Sequence, residues 1–189
     1  NDPRFGEGYA DRTKKISKHF KKEFALMKEE LESPYYLRHK LVANYIYKGP
    51  VLEWYLRVKL KLEKYYAPFH KLLPQKGSIL DLGCGYGFLC YMLQFLSAER
   101  KITGVDYDEE KIEVAKNGFL KTDRVIFYAA DVREFPLHGY HAIIISDVLH
   151  YLPKDDQEIL LKRSIDSLNE GGILLIREGI ADLKNRHIG

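Results

Sequence analysis

From residue 75 onward the chain alternates short, unbroken apolar runs with stretches of helical period. Ser78–Leu82, Lys101–Val105, Arg124–Ala129, Ala142–Ser146 and Gly172–Arg177 read as strands. Gly87–Leu96, Glu109–Gly118 and Asp155–Leu168 read as the helices between them. Strands without polar alternation are buried on both faces, so the pattern predicts a mostly parallel sheet covered by helices on either side, an α/β three-layer sandwich. Ligands of such sheets bind beyond the carboxyl ends of the strands. At 189 residues and 46% hydrophobic, the chain can bury such a core without a metal or disulfide. The two cysteines, Cys84 and Cys90, have neither pairing nor metal-ligand spacing, which fits a reducing, cytoplasmic setting and implies no metal site. No apolar run reaches the roughly 18 residues a membrane span requires, and no signal-peptide core is seen near the start.

The front of the chain differs. Residues 1–74 carry 16 Lys and Arg against 9 Asp and Glu, whereas residues 75–189 carry 14 against 18. Thirteen of the 24 aromatic residues also lie before residue 75. A polar helix is expected from Arg12 to about Leu31, ended by Ser33-Pro34. Further helical stretches run from Tyr35 to Gly49 and from Pro50, where Val51, Trp54, Tyr55, Val58 and Leu62 recur at helical steps. The expected organisation is a helical tail over 1–32, a helical lid over 33–74 and the sheet domain over 75–189. A basic, aromatic front also suits an anionic membrane surface, although lysines on wet helix faces account for it as well.

The first strand runs into Asp81-Leu82-Gly83-Cys84-Gly85-Tyr86-Gly87-Phe88, a glycine loop that opens a helix. A dinucleotide fingerprint needs GxGxxG, but position 88 is Phe and the third glycine comes one residue early, at Gly87. Asp81 would repel a pyrophosphate and suits a ligand with ammonium or sulfonium charge. Cys84 reads as small filler under the ligand.

Ile79 through Gly87 resembles the first motif of class I S-adenosylmethionine-dependent methyltransferases. Later segments resemble the rest of that family's pattern in order and spacing: Val105-Asp106-Tyr107-Asp108, Ala130-Asp131-Val132, Ser146-Asp147-Val148-Leu149-His150-Tyr151 and Leu168 to Ile176. The resemblance implies a Rossmann-like fold and S-adenosylmethionine as cofactor, with S-adenosylhomocysteine as product. It places Asp81, Gly83, Cys84, Gly85, Gly87, Asp106, Tyr107, Asp131, Val132 and Ser146 around the cofactor. Asp106 would accept from both ribose hydroxyls, since one carboxylate can take a cis-diol bidentately. Asp131 would accept from the adenine amine and the Val132 amide would donate to the ring.

Methyl transfer from a sulfonium is in-line displacement, for which alignment supplies about 7–11 kcal/mol and a general base roughly 3–5. His150 is the candidate base for a hydroxyl acceptor, and for a carbon or amine nucleophile it would only orient. Tyr47, Trp54, Tyr55 and Tyr151 are candidate walls for the acceptor, a small or lipid-linked molecule. The Asn/Asp-Pro-Pro-aromatic pattern of base methylation is missing at Ser146-Asp147-Val148-Leu149, which argues against nucleic acid. A binding module or scaffold without turnover stays open beside the enzyme.

The family sheet has seven strands, and the ten residues after Gly179 cannot form the last two. The expected sheet is therefore truncated after its fifth strand, and the chain, which begins at Asn1, reads as part of something longer. Asp2 to Phe20 is similar to the tail of 1-acylglycerol-3-phosphate acyltransferase-like domains, and Tyr47 to Tyr55 ahead of the first motif resembles fused acyltransferase–methyltransferase chains. That resemblance implies a fused acyltransferase partner and a lipid-like acceptor.

Overall fold

The computed structural model describes residues 37–63 and 65–179; the expected helix over 12–31 and the segment from 180 lie outside them. Three helices lead: α1 (Arg38–Asn44), α2 (Pro50–Leu62) and α3 (Tyr66–Leu72). The break between the first two falls at Gly49, whose φ of +92° suits glycine, and Pro50 then starts α2 in its first turn. Leu52, Leu56 and Leu60, four residues apart, form the buried stripe of α2.

There follow β1 (Gly77–Leu82), α4 (Phe88–Leu96), β2 (Arg100–Asp106), α5 (Glu109–Lys116), β3 (Val125–Ala129), β4 (Tyr140–Ser146), α6 (Lys154–Asp166) and β5 (Leu168–Arg177). The five strands form one sheet in the order β3-β2-β1-β4-β5, parallel at every pairing. This is the α/β sandwich the alternation predicts, with the Rossmann-like order that the resemblance implies. The chain winds outward from β1 to β3 and returns to β4 on the other side of β1, so the crevice at the switch point opens between the β1 and β4 ends. Among the strands the largest shift of a boundary is at β5, which begins at Leu168, not Gly172. Leu168 pairs with Tyr140, and an irregularity between Tyr140 and Ala142 then lets Ile173 pair with Ala142.

Neighbouring residues of each strand enter opposite cores. Ile79, Ile102, Phe127 and Ile144 pack with the leading helices, α4 and α5. Leu80, Val105, Ile143 and Ile145 pack with Leu160 of α6 on the other face. The leading helices therefore cover the α4 side of the sheet, where Tyr45 is fully buried edge-on to Phe88 at 4.8 Å and donates its hydroxyl to the Tyr86 carbonyl at 2.6 Å.

Arg100 ties this covering to the sheet. It is fully buried, and donates to the Pro74 carbonyl at 2.8 Å, the Leu93 carbonyl at 2.9 Å and the His70 carbonyl at 3.2 Å. Burial pulls its guanidinium down to about 10. Arg100→Met keeps the volume and leaves those carbonyls without donors, so urea unfolding should show a loss of about 3 kcal/mol. A loss below about 1 kcal/mol would mean that water replaces the guanidinium.

Candidate active site

The carboxyl ends of the strands enclose a cavity of about 570 Å³, within the range of small-ligand sites. Its floor is the glycine loop. Gly83 has φ +80° and lies against Val148, whose Cγ2 an added Cβ would overlap. At Gly85 an added Cβ would meet nothing within 4 Å, so the backbone is bare where it faces the cavity.

Asp81, next to last in β1, and Asp106, the last residue of β2, both line the cavity, 2% and 7% exposed. Asp106 accepts from the Gly85 amide at 2.8 Å through Oδ2 and from the Asp108 amide at 3.0 Å through Oδ1, which leaves each oxygen a lone pair for a ligand. Asp81 accepts only a thiol hydrogen bond, from Cys90 at 3.2 Å. Burial above all pushes Asp81 up to about 7; the Cys90 thiol pulls it back in part, the Asp106 carboxylate adds a smaller push upward, and Lys59 lowers it least. Every lysine and arginine that lines the cavity is already matched. Lys59 pairs with Glu63 at 2.8 Å, Lys111 with Asp108 at 2.9 Å, and Arg133 with Asp131 and Asp156. The charge left over is negative.

Gly83, Cys84, Gly85, Tyr107, Asp131, Val132, Ser146, Tyr55 and Tyr151 also line the cavity. Tyr107 and Tyr151 stand 78% and 77% exposed at its rim. Asp131 is differently engaged from the expectation. Arg133, two residues on in the same turn, forks onto it through Nε at 3.0 Å to both oxygens, and holds its carboxyl below the usual range. The carboxylate reaches a ligand only in competition with that guanidinium.

Four expected residues lie off the wall, each for a local reason. Gly87 is a packing glycine beneath Phe127. Tyr47 is drawn away by donating its hydroxyl to the Val114 carbonyl at 2.7 Å. Trp54 is 67% exposed, one position round α2 from Tyr55, which does reach the cavity. His150 sits in a 3₁₀ turn at Leu149–Tyr151, its Nδ1 2.8 Å from Glu178 Oε2 and its ring 4.0 Å from that of Tyr151.

The sequence reading passed over Lys59, Tyr65 and Tyr66, which complete the wall from the front helices. Tyr65 and Tyr66 stack at 4.8 Å, and burial foremost, with the Glu63 carboxylate adding to it, pushes both phenols up. The tandem tyrosines between two helices were the available signal. Glu178 was passed over too. Burial pushes its carboxyl up, but His150 and the Leu149 and Val148 amides outweigh this and hold it below the usual range. Among the described residues no three His, Cys, Asp or Glu side chains are grouped to hold a metal, and no helix is long and apolar enough to cross a membrane.

Residues 79–172 match the family model described as a methyltransferase domain. The chain carries a class I S-adenosylmethionine-dependent methyltransferase domain. Curated relatives include carboxy-S-adenosyl-L-methionine synthases. That of Campylobacter concisus is 30% identical over 111 residues, covering 58% of this chain and 47% of the relative. That of Shewanella amazonensis is 31% identical over 111 residues, covering 53% and 44%. The chain thus spans less than half the length of these relatives. Solved structures share the fold of this methyltransferase domain. Streptomyces venezuelae DesVI superposes with a TM-score of 0.56 at 18% identity, covering 69% of this chain and 58% of that one. Micromonospora echinaspora CalS10, described as an amino pentose methyltransferase bound to SAM, gives 0.57 at 18%, covering 69% and 57%.

The cofactor of this domain is S-adenosylmethionine, and the residues present fit it. A sulfonium would meet a cavity whose unmatched charges are carboxylates, Asp106 has a lone pair on each oxygen that would serve a ribose diol, and Gly83 and Gly85 bring backbone without Cβ atoms to the cavity.

Proposed function

We propose that this domain transfers the methyl group of S-adenosylmethionine to a neutral small-molecule acceptor. The observation that carries this reading is the pairing of the two counter-ion-free carboxylates, Asp81 and Asp106, with a roof of Tyr55, Tyr65 and Tyr66 over the same cavity. Bound there, the cofactor supplies an activated methyl group with its leaving group attached. The chain's own residues then bind and align. Asp106 holds the ribose end against the Gly85 amide. The tyrosines exclude water and offer flat apolar walls to an acceptor. Alignment carries most of the barrier reduction, so a site with little acid–base machinery suffices.

The relatives' names suggest carboxyl rather than methyl chemistry. A carboxylated cofactor or carboxylate donor calls for a free cation, and each lysine and arginine on the wall is already paired. That favours methyl transfer for this chain. A lipid-linked acceptor is supported by α2, whose Val51, Trp54 and Leu62 stand 80%, 67% and 73% exposed beside Arg57 and Lys61.

Calorimetric titration with S-adenosylhomocysteine tests the core of this reading, with NAD as control. S-adenosylhomocysteine should bind and NAD should not. Asp106→Ala removes the acceptor for two backbone amides as well as the diol, and should weaken binding about 100-fold, or some 3 kcal/mol. Equal affinity for the variant would place the ribose elsewhere.

A further inference from the structure

Arg177 and Glu178 follow one another at the end of β5, and both reach back over the loop that leaves β4. In that loop Asp147 has φ +56°, a left-handed conformation that a non-glycine residue holds only with support from its surroundings. The support is visible. The Asp147 amide donates to the Arg177 carbonyl at 2.8 Å, and its carboxylate pairs with the Arg177 guanidinium, which lies 4.3 Å from the centre of the Tyr65 ring.

Glu178 takes the next three residues. Its Oε1 accepts from the Val148 and Leu149 amides, both at 2.7 Å, and its Oε2 faces His150 Nδ1 at 2.8 Å. One carboxylate therefore gathers three successive residues of a loop whose Asp147, Val148, Tyr151 and Leu152 form cavity wall. An ionised carboxylate can only accept, so the proton between Glu178 and His150 resides on Nδ1. A neutral imidazole has a single N–H, so Nε2 keeps its lone pair. His150 is half exposed, its ring 4.0 Å from that of Tyr151, which lines the cavity.

We propose that Glu178 is a positioning residue for methyl transfer: it fixes the loop after β4 as a rigid wall and sets His150 as a proton acceptor through Nε2. Resting on the methyltransferase reading above, this gives the acceptor's proton a destination. An acceptor hydroxyl or amine leaves its bonding pair on oxygen or nitrogen, and the proton forms a bond to Nε2. The resulting imidazolium stays hydrogen-bonded to the Glu178 carboxylate, which stabilises its charge.

The two roles separate in Glu178→Gln. A carboxamide oxygen can still accept from the Val148 and Leu149 amides, but its NH₂ faces Nδ1 as a donor, so the imidazole proton must move to Nε2. Nitrogen-15 NMR of histidine-labelled protein, with the His150 signals assigned from His150→Gln, should show neutral His150 protonated at Nδ1 in the unaltered chain and at Nε2 in Glu178→Gln. Hydrogen exchange at the Val148 and Leu149 amides should stay within about threefold in Glu178→Gln and rise about tenfold or more in Glu178→Ala. Affinity for S-adenosylhomocysteine should hold within about twofold in Glu178→Gln and fall about 5- to 10-fold in Glu178→Ala. An Nε2-protonated His150 in the unaltered chain, or an unchanged tautomer in Glu178→Gln, would overturn the imidazole role. Unaltered amide exchange in Glu178→Ala would overturn the clamp, and if that variant does not fold, Glu178→Gln exchange as fast as free peptide does so instead. Failure of the unaltered chain to bind S-adenosylhomocysteine would sink the methyltransferase reading separately, since the tautomer and exchange are read without ligand.

Discussion

Gly87→Ala should remove about 2–5 kcal/mol of the domain's stability. Gly87 caps α4 with φ +72°, where an alanine costs about 1–2 kcal/mol in backbone strain alone. Its Cβ would also come within 2.5 Å of Phe127 Cζ. Phe127 is 4% exposed and cannot swing away, because its ring is bounded on the other side by Gly104, where a Cβ would likewise fall 2.7 Å from Cδ1. Overpacking of this kind adds about 1–3 kcal/mol. The sum, about 2–5 kcal/mol, is a large share of the 5–15 that holds a domain together. Urea unfolding of Gly87→Ala beside Gly87→Ala/Phe127→Leu separates the two contributions, because the smaller side chain should return part of the overpacking loss and none of the strain. A variant as stable as the parent would show that the loop relaxes around a Cβ, and would remove the structural reason for a third glycine in this motif.

That glycine illustrates what was legible in the chain before its fold was known. Asp81, Asp106, Asp131 and Ser146 could be placed because each ends or follows an apolar run, and a parallel sheet brings the carboxyl ends of its strands together. Gly87 was found by the same logic, but its use lies in Phe127, forty residues on, and sequence order does not show which ring fills which slot. The front helices were harder still. Trp54 and Tyr55 are adjacent in sequence and about 100° apart on a helix, so only one of them turns to the cavity, and which one depends on how α2 rolls against α4. Tyr45, in the same front region, is core, edge-on to Phe88 and Tyr91. His150 depends on Glu178, 28 residues away, and Asp131 on a guanidinium that no spacing rule couples to adenine. Strand ends follow from local pattern, whereas side-chain orientation in turns is decided by distant partners.

Asp81→Asn should make the ligand-free domain more stable above neutral pH, and worse at holding a sulfonium. With its carboxyl pushed up to about 7 by burial, from an ordinary value near 3.8, folded Asp81 keeps a proton that the unfolded chain sheds once the pH passes about 4. Between those two values the folded state binds more protons, so stability falls as pH rises, and above about 7 the loss is complete and level. Three pH units of displacement correspond to about 4 kcal/mol as an upper bound for a fully buried group. Asparagine has no charge to desolvate, and its side-chain oxygen can still accept from the Cys90 thiol. Unfolding midpoints in urea should therefore converge for parent and variant near pH 4 and diverge toward pH 8, where Asp81→Asn gains about 2–4 kcal/mol. Binding should move the other way. S-adenosylmethionine and S-adenosylhomocysteine differ by the methyl group and the positive sulfur, so the ratio of their affinities isolates the charge. That ratio should drop about tenfold in Asp81→Asn, since a buried carboxylate beside a cation contributes on the order of 1.4 kcal/mol even at a high effective dielectric. Parallel pH profiles for the two proteins would show that Asp81 is solvated when folded. An unchanged ratio would put the sulfur beyond its reach and leave Asp106 as the nearer carboxylate.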